Sequence, residues 1–219
     1  PHDPYSELKA QMDQKLAEFA IQPEISSVIK NSFERPRIHL QSGRNLLSAM
    51  RFMPPQSLGA LMIDLLENSN RSAMLPLMGK FLSTLRDSIS KLAPQDVKKL
   101  RDLLFELFAS AGPMVNIELH RALMLRVLCA IPTELASTFP QRFFDRLCKE
   151  SSALVRREGI ALCLLWQDQV TLEKIASGNF LGPWEKPILS MKASEILSLS
   201  TIEQQTSLQH RISSDHASV

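Results

Sequence analysis

Five histidines, His2, His39, His120, His210 and His216, and three cysteines, Cys129, Cys148 and Cys163, are the side chains here best suited to hold a metal or act as base and nucleophile. Their spacing serves none of these roles. No H-E-x-x-H or C-x-x-C run occurs, and no histidine stands near a cysteine in the sequence. In "ELHRAL", Glu118 and His120 are two apart on a predicted helix and so on different faces, which makes His120 a surface or groove residue rather than a ligand. The phosphate-cradling G-x-x-x-x-G-K-[ST], the dinucleotide G-x-G-x-x-G and the nucleophile elbow G-x-S-x-G are all missing. The sequence therefore nominates no catalytic residue, no metal ligand and no cofactor site, and points away from an enzyme. The cysteines lie inside apolar runs and are odd in number, which reads as reduced, packed thiols in an intracellular protein, cytoplasmic or nuclear.

Arginine offers a different chemistry, the bidentate binding of carboxylates and phosphates. Arg35, Arg37, His39, Arg44 and Arg51 fall within 17 positions that contain one acid-free run after Glu34, beside a helix start expected at Ser42 and Gly43 whose unbonded N–H groups favour an anion. Arg156 and Arg157 form a second basic pair in "LVRREG". These six arginines are the candidate partner-binding residues. Each cluster has a plainer reading: the first as a solvated connector whose Arg stems cover apolar surface, the second as a brace between neighbouring helices. The balance of 25 Lys and Arg against 23 Asp and Glu, net +2, supplies no global field for a nucleic acid or membrane, so any anionic partner must use a local patch.

The elements that carry these residues are helical. With 44% hydrophobic residues, seven glycines and one tyrosine, the chain lacks the aromatic and β-branched runs of an all-β fold, and leucine dominates. No apolar run approaches the roughly 18 residues that a bilayer span needs. The opening Pro-His-Asp-Pro is not a signal peptide and reads as the edge of a longer chain. "DPYSELKAQMDQKLAEFA" predicts an amphipathic helix with Asp3 as N-cap, Pro4 at the first helical position, and Leu8, Met12, Leu16 and Phe19 along one stripe. A second helix places Ile25, Val28, Ile29 and Phe33 together and ends before Pro36.

From Ser42 the helices come in pairs, punctuated by an apolar residue, a proline, a polar pair and then Leu or Val: "FMPPQSL", "LAPQDV", "AIPTEL". Pro55 to Pro94 is 39 residues and Pro94 to Pro132 is 38, and the next step falls at Val170 to Leu172, where "QDQVTLEKI" opens a helix without proline. Proline suits the first position of a second helix because its missing N–H would be unbonded there in any case. Two-helix units at this period mark a helical solenoid. The prediction is an all-α, HEAT/armadillo-like α-α superhelix, right-handed, of about three to four helix pairs. Residues 1–39 form an N-terminal helical leader and connector, 40–200 the repeat domain and 201–219 a polar tail. Within 40–200, Asn116 is the expected cap of a helix through Ile131, "PTELASTFPQRFFDRLCKE" a helix broken at Pro140, and "PILSMKASEILSL" a capping helix. The alternative is a compact, irregular helical bundle in which these prolines are unrelated turns. Met50, Met53, Met62, Met74 and Met78 would pack its core or line an adaptable groove.

The segment "IHLQSGRNLLSAMRFMPPQSLGALMIDLLEN" resembles the start of the C-terminal helical domain of the Pat family of decapping activators, scaffolds of messenger RNA decay. In both, a Gly-basic pair, Gly43-Arg44, opens an apolar helix, a turn ends in Gln56, and a second apolar helix follows. "RREGIALCLLWQDQ" is similar to a later helix of that domain at Gly159, Leu162 and Leu164, while Ser42 departs from the basic residue the family tends to carry. The resemblance implies decay factors and RNA as partners. The functional expectation is a non-enzymatic scaffold or adaptor within a multi-subunit complex; its alternative is a nucleic-acid-binding module using the Arg35 to Arg51 patch.

Overall fold

A computed structural model describes residues 4–22, 24–34, 39–68 and 74–166. Among these every regular element is helical: α1 Pro4–Ala20, α2 Ile25–Glu34, α3 Leu40–Ala49, α4 Pro55–Glu67, α5 Met78–Ser88, α6 Pro94–Ala109, α7 Glu118–Cys129, α8 Gln141–Cys148 and α9 Ala153–Trp166, with short 3-10 turns between them. The described residues contain no strand, and none of their helices is long and apolar enough to cross a membrane. Asp3, Arg35, Arg37, the step at Val170 to Leu172, the capping segment 187–199 and the tail 201–219 lie outside the described residues.

The chain divides into two compact units, Pro1–Ile131 and Pro132–Val219. In the first, odd-numbered helices pack on odd ones, α1 on α3, α3 on α5 and α5 on α7, while α2 packs on α4 and α4 on α6. Two layers result. α4 buries Leu58, Leu61, Met62, Ile63, Leu65 and Leu66, a broad apolar face, and leaves Gln56, Ser57, Ala60 and Glu67 exposed. Between α4 and its neighbours run ion pairs, Lys30 to Asp64 at 2.9 Å from α2 and Lys99 to Glu67 at 3.0 Å from α6.

The proline punctuation is a corner that recurs every 39 residues. The N–H groups of Met53, Leu92 and Ile131 donate to the carbonyls of Met50, Ile89 and Leu128 at 3.2, 3.2 and 3.1 Å. The next residue is extended each time: Pro54 at φ −57, ψ 140, Ala93 at −67, 145 and Pro132 at −54, 140. Pro55 and Pro94 then start α4 and α6. The structural equivalent of Pro132 is thus Pro54 and Ala93, which restores the even period that the count of 38 obscured.

The third corner departs from expectation. After Pro132 only a 3-10 turn forms, Thr133–Leu135, and the chain then runs extended to Pro140. The reason is Pro140: it cannot bond back to Ala136 and it disfavours helix at Phe139, so a helix from Thr133 would stop within two turns. α8 starts only at Gln141. Asn116 likewise is not a cap; it ends the 3-10 turn Pro113–Asn116, and Ile117 precedes α7. In the second unit Ser152 caps α9, its Oγ accepting the Val155 N–H at 3.3 Å while Glu150 Oε1 accepts the Ser152 N–H at 3.0 Å. Phe139 stacks on Phe143 and on Trp166, each at 5.4 Å between ring centroids.

The five clustered methionines are all buried, in the core rather than in an open groove. Neither Cys129, half-buried, nor Cys163, buried, is in a disulfide.

Candidate partner-binding site

α3 cannot continue past Ala49 because Pro54 and Pro55 lie ahead, and it tightens into the 3-10 turn Met50–Phe52. That turn sets Arg51 at the corner, its side chain 44% exposed. α5 ends in the same way one repeat later, in the 3-10 turn Ile89–Lys91 ahead of Pro94. Because α3 packs on α5, the two corners meet. Lys91 Nζ donates to the carbonyl of Arg51 at 3.2 Å, and Arg51 Nη2 lies 3.5 Å from Asp87 Oδ2. Arg86 donates through Nε and Nη2 to the other oxygen of Asp87, Oδ1, at 3.1 and 2.8 Å. Two guanidiniums thus flank one carboxylate, with the Lys91 ammonium bonded beside them to the backbone, at the C-terminal ends of helical segments whose dipoles favour positive charge.

Of the arginines singled out from the sequence, Arg51 enters this cluster. Arg44 is exposed on α3, but the helix begins at Leu40 rather than Ser42, so Arg44 stands in the second turn and not beside the unbonded N–H groups expected to assist it. The Gly43 N–H is already bonded, to the His39 carbonyl at 2.9 Å. Arg35 and Arg37 lie outside the described residues. In the second unit, Arg156 is half-buried and Arg157 exposed, both in the first part of α9. Sequence reasoning missed Arg86 and Lys91. A signal existed for Lys91: it stands 40 residues from Arg51, close to one repeat, where stacked corners meet.

No family model, curated protein or solved structure matches this chain. The site is therefore read from its own geometry. Among the described residues no group of three or more His, Cys, Asp or Glu is placed to hold a metal ion. His120 proves buried, not superficial: α7 packs on both α5 and α6, and the adjacent Arg121 is buried too, donating through Nη1 to the Val115 carbonyl at 2.6 Å. A cavity lined by Lys30, Phe33, Asp64 and Met74 measures about 10 Å³, room for a single water.

A second surface lies along α1. Leu16 and Phe19 of its predicted stripe are half-buried, but Leu8 and Met12 are 55% and 58% exposed. With Leu16 and with Asn45 of α3 they line an open groove of about 550 Å³.

Proposed function

We propose that this chain is a non-enzymatic α-helical repeat scaffold of HEAT or armadillo type that carries protein–protein contacts in an intracellular complex. The observation that supports the reading most is the alternation of the helices: odd on odd and even on even through the first unit, with corners repeating at 39 residues. Such stacks bury their cores between repeats and leave long edges for partners. The chemistry on those edges is cationic at the corner of Arg51 and apolar along α1. The likeness of residues 38–68 to the Pat family's helical domain makes factors of messenger RNA decay the first partners to assay. The basic residues also admit RNA, which the test below separates.

The test is retention on the immobilised chain from a cell extract, with and without nuclease, with retained proteins identified by mass spectrometry. The reading predicts a reproducible set of proteins that survives nuclease treatment. Retention that disappears with nuclease transfers the function to nucleic-acid binding, and an empty, reproducible result removes the scaffold reading.

A further inference from the structure

The corner of Arg51, Arg86 and Lys91 carries more hydrogen-bonding capacity than the protein uses. Arg51 meets Asp87 through one nitrogen at 3.5 Å, Arg86 spends Nε and Nη2 on a single oxygen, and Lys91 gives one bond to a backbone carbonyl. A guanidinium has five N–H donors and an ammonium three. Most of these donors meet no acceptor among the described residues. At this corner Arg51 and Arg86 share Asp87 while Lys91 bonds only a backbone carbonyl, leaving a local charge of +2 on side chains 43 to 44% exposed for the two arginines and on the exposed Lys91.

We propose that this corner docks an acidic peptide segment of a partner protein, with Asp87 as the internal carboxylate that spaces the two guanidiniums and competes with the incoming one. The inference rests on the scaffold reading and names the chemistry of its partner. A carboxylate is favoured because both guanidiniums already bind one, Arg51 at Oδ2 and Arg86 at Oδ1 of Asp87, with donors left over. The backbone beneath is fixed by the two corner turns and tied by the Lys91 bond to Arg51, so little order need be lost on binding. Duplex nucleic acid fits less well, since its binders commonly make about 6 to 10 phosphate contacts.

The experiment uses the full chain and a fluorescent oligo-glutamate, with oligo-glutamine as the uncharged control and a single-stranded RNA of equal charge as competitor. Anisotropy should show binding of oligo-glutamate that falls as salt rises. Arg51→Glu and Arg86→Glu should each weaken it by about tenfold or more, and the stem-preserving Arg51→Gln and Arg86→Gln by less. Asp87→Asn should tighten it severalfold, an outcome that a diffuse charge effect on folding would not produce if the melting temperature stays within a few degrees. Oligo-glutamate binding that ignores all four arginine variants, Asp87→Asn that weakens binding, or RNA that binds more tightly than oligo-glutamate at this corner overturns the proposal. If the chain retains nuclease-resistant protein partners all the same, the corner falls and the scaffold reading stands.

Discussion

Gly159 of α9 faces Leu147 of α8 so closely that a Cβ there would lie 2.5 Å from Leu147 Cδ1, 3.0 Å from Cδ2 and 3.2 Å from Cγ. Leu147 is 1% exposed, so its methyls could yield only by disturbing the packing around them. α8 and α9 therefore approach through the missing side chain.

Gly159→Ala should accordingly destabilise the protein. Overpacking costs about 1 to 3 kcal/mol, which exceeds the helix-propensity gain of about 1 kcal/mol from replacing glycine with alanine. Gly79 of α5 supplies the contrast, because a Cβ there would meet Leu123 Cδ1 at an ordinary 3.7 Å. Gly79→Ala should stabilise by a few tenths to about 1 kcal/mol. Chemical denaturation of the two variants should move the midpoint in opposite directions, and a shift of the same sign in both would contradict the close approach at Gly159.

Thr84 of α5 is fully buried, and its Oγ1 meets no hydrogen-bond partner, while its carbonyl accepts from Ser88 Oγ at 2.8 Å. A buried hydroxyl without a partner keeps its desolvation cost, about 1 to 3 kcal/mol. Thr84→Val preserves the shape and removes that cost. The variant should be as stable as the parent or about 1 kcal/mol more so, and a loss above 1 kcal/mol by urea titration would mean that the hydroxyl has a partner in solution.

Leu104 of α6 is fully buried, and with Val97, Leu100, Phe105 and Phe108 it forms the inner face of that helix. Leu104→Ala should cost about 2 to 5 kcal/mol through lost contact and the cavity left behind. Leu103, half-buried one position earlier, should cost visibly less. Equal losses at the two positions would place α6 in a different rotation against α4.

Much of this architecture was legible in the sequence, for a definite physical reason. Proline and the 3.6-residue period act locally, so the starts of α4 and α6 and the apolar face Leu58, Leu61, Met62, Leu65 and Leu66 follow from short stretches. The failures came where a second local signal or a distant neighbour decides. Pro140 lies eight residues past Pro132 and cuts short the helix that the repeat alone would start. His120 looks superficial by helix position but is buried by α5 and α6, which no single-helix pattern contains. The basic corner was half-read: Arg51 stood out among neighbours in sequence, whereas Arg86 and Lys91 join it only because α3 packs on α5.

The corners themselves make the last prediction. Met50, Ile89 and Leu128 are spaced 39 apart, each supplies the carbonyl that closes its turn, and their side chains are 0, 2 and 0% exposed. If these are equivalent positions of one repeat, their truncations should behave alike: Met50→Ala, Ile89→Ala and Leu128→Ala should each cost about 2 to 5 kcal/mol. Exposed Ser90, the neighbour of Ile89, should accept alanine within about 0.5 kcal/mol, because it lies outside the core. Equilibrium unfolding of the four variants under one condition decides the matter. A tolerant Leu128 beside intolerant Met50 and Ile89 would limit the repeat to two corners, and Ser90→Ala as costly as Ile89→Ala would rotate the second corner away from the register described.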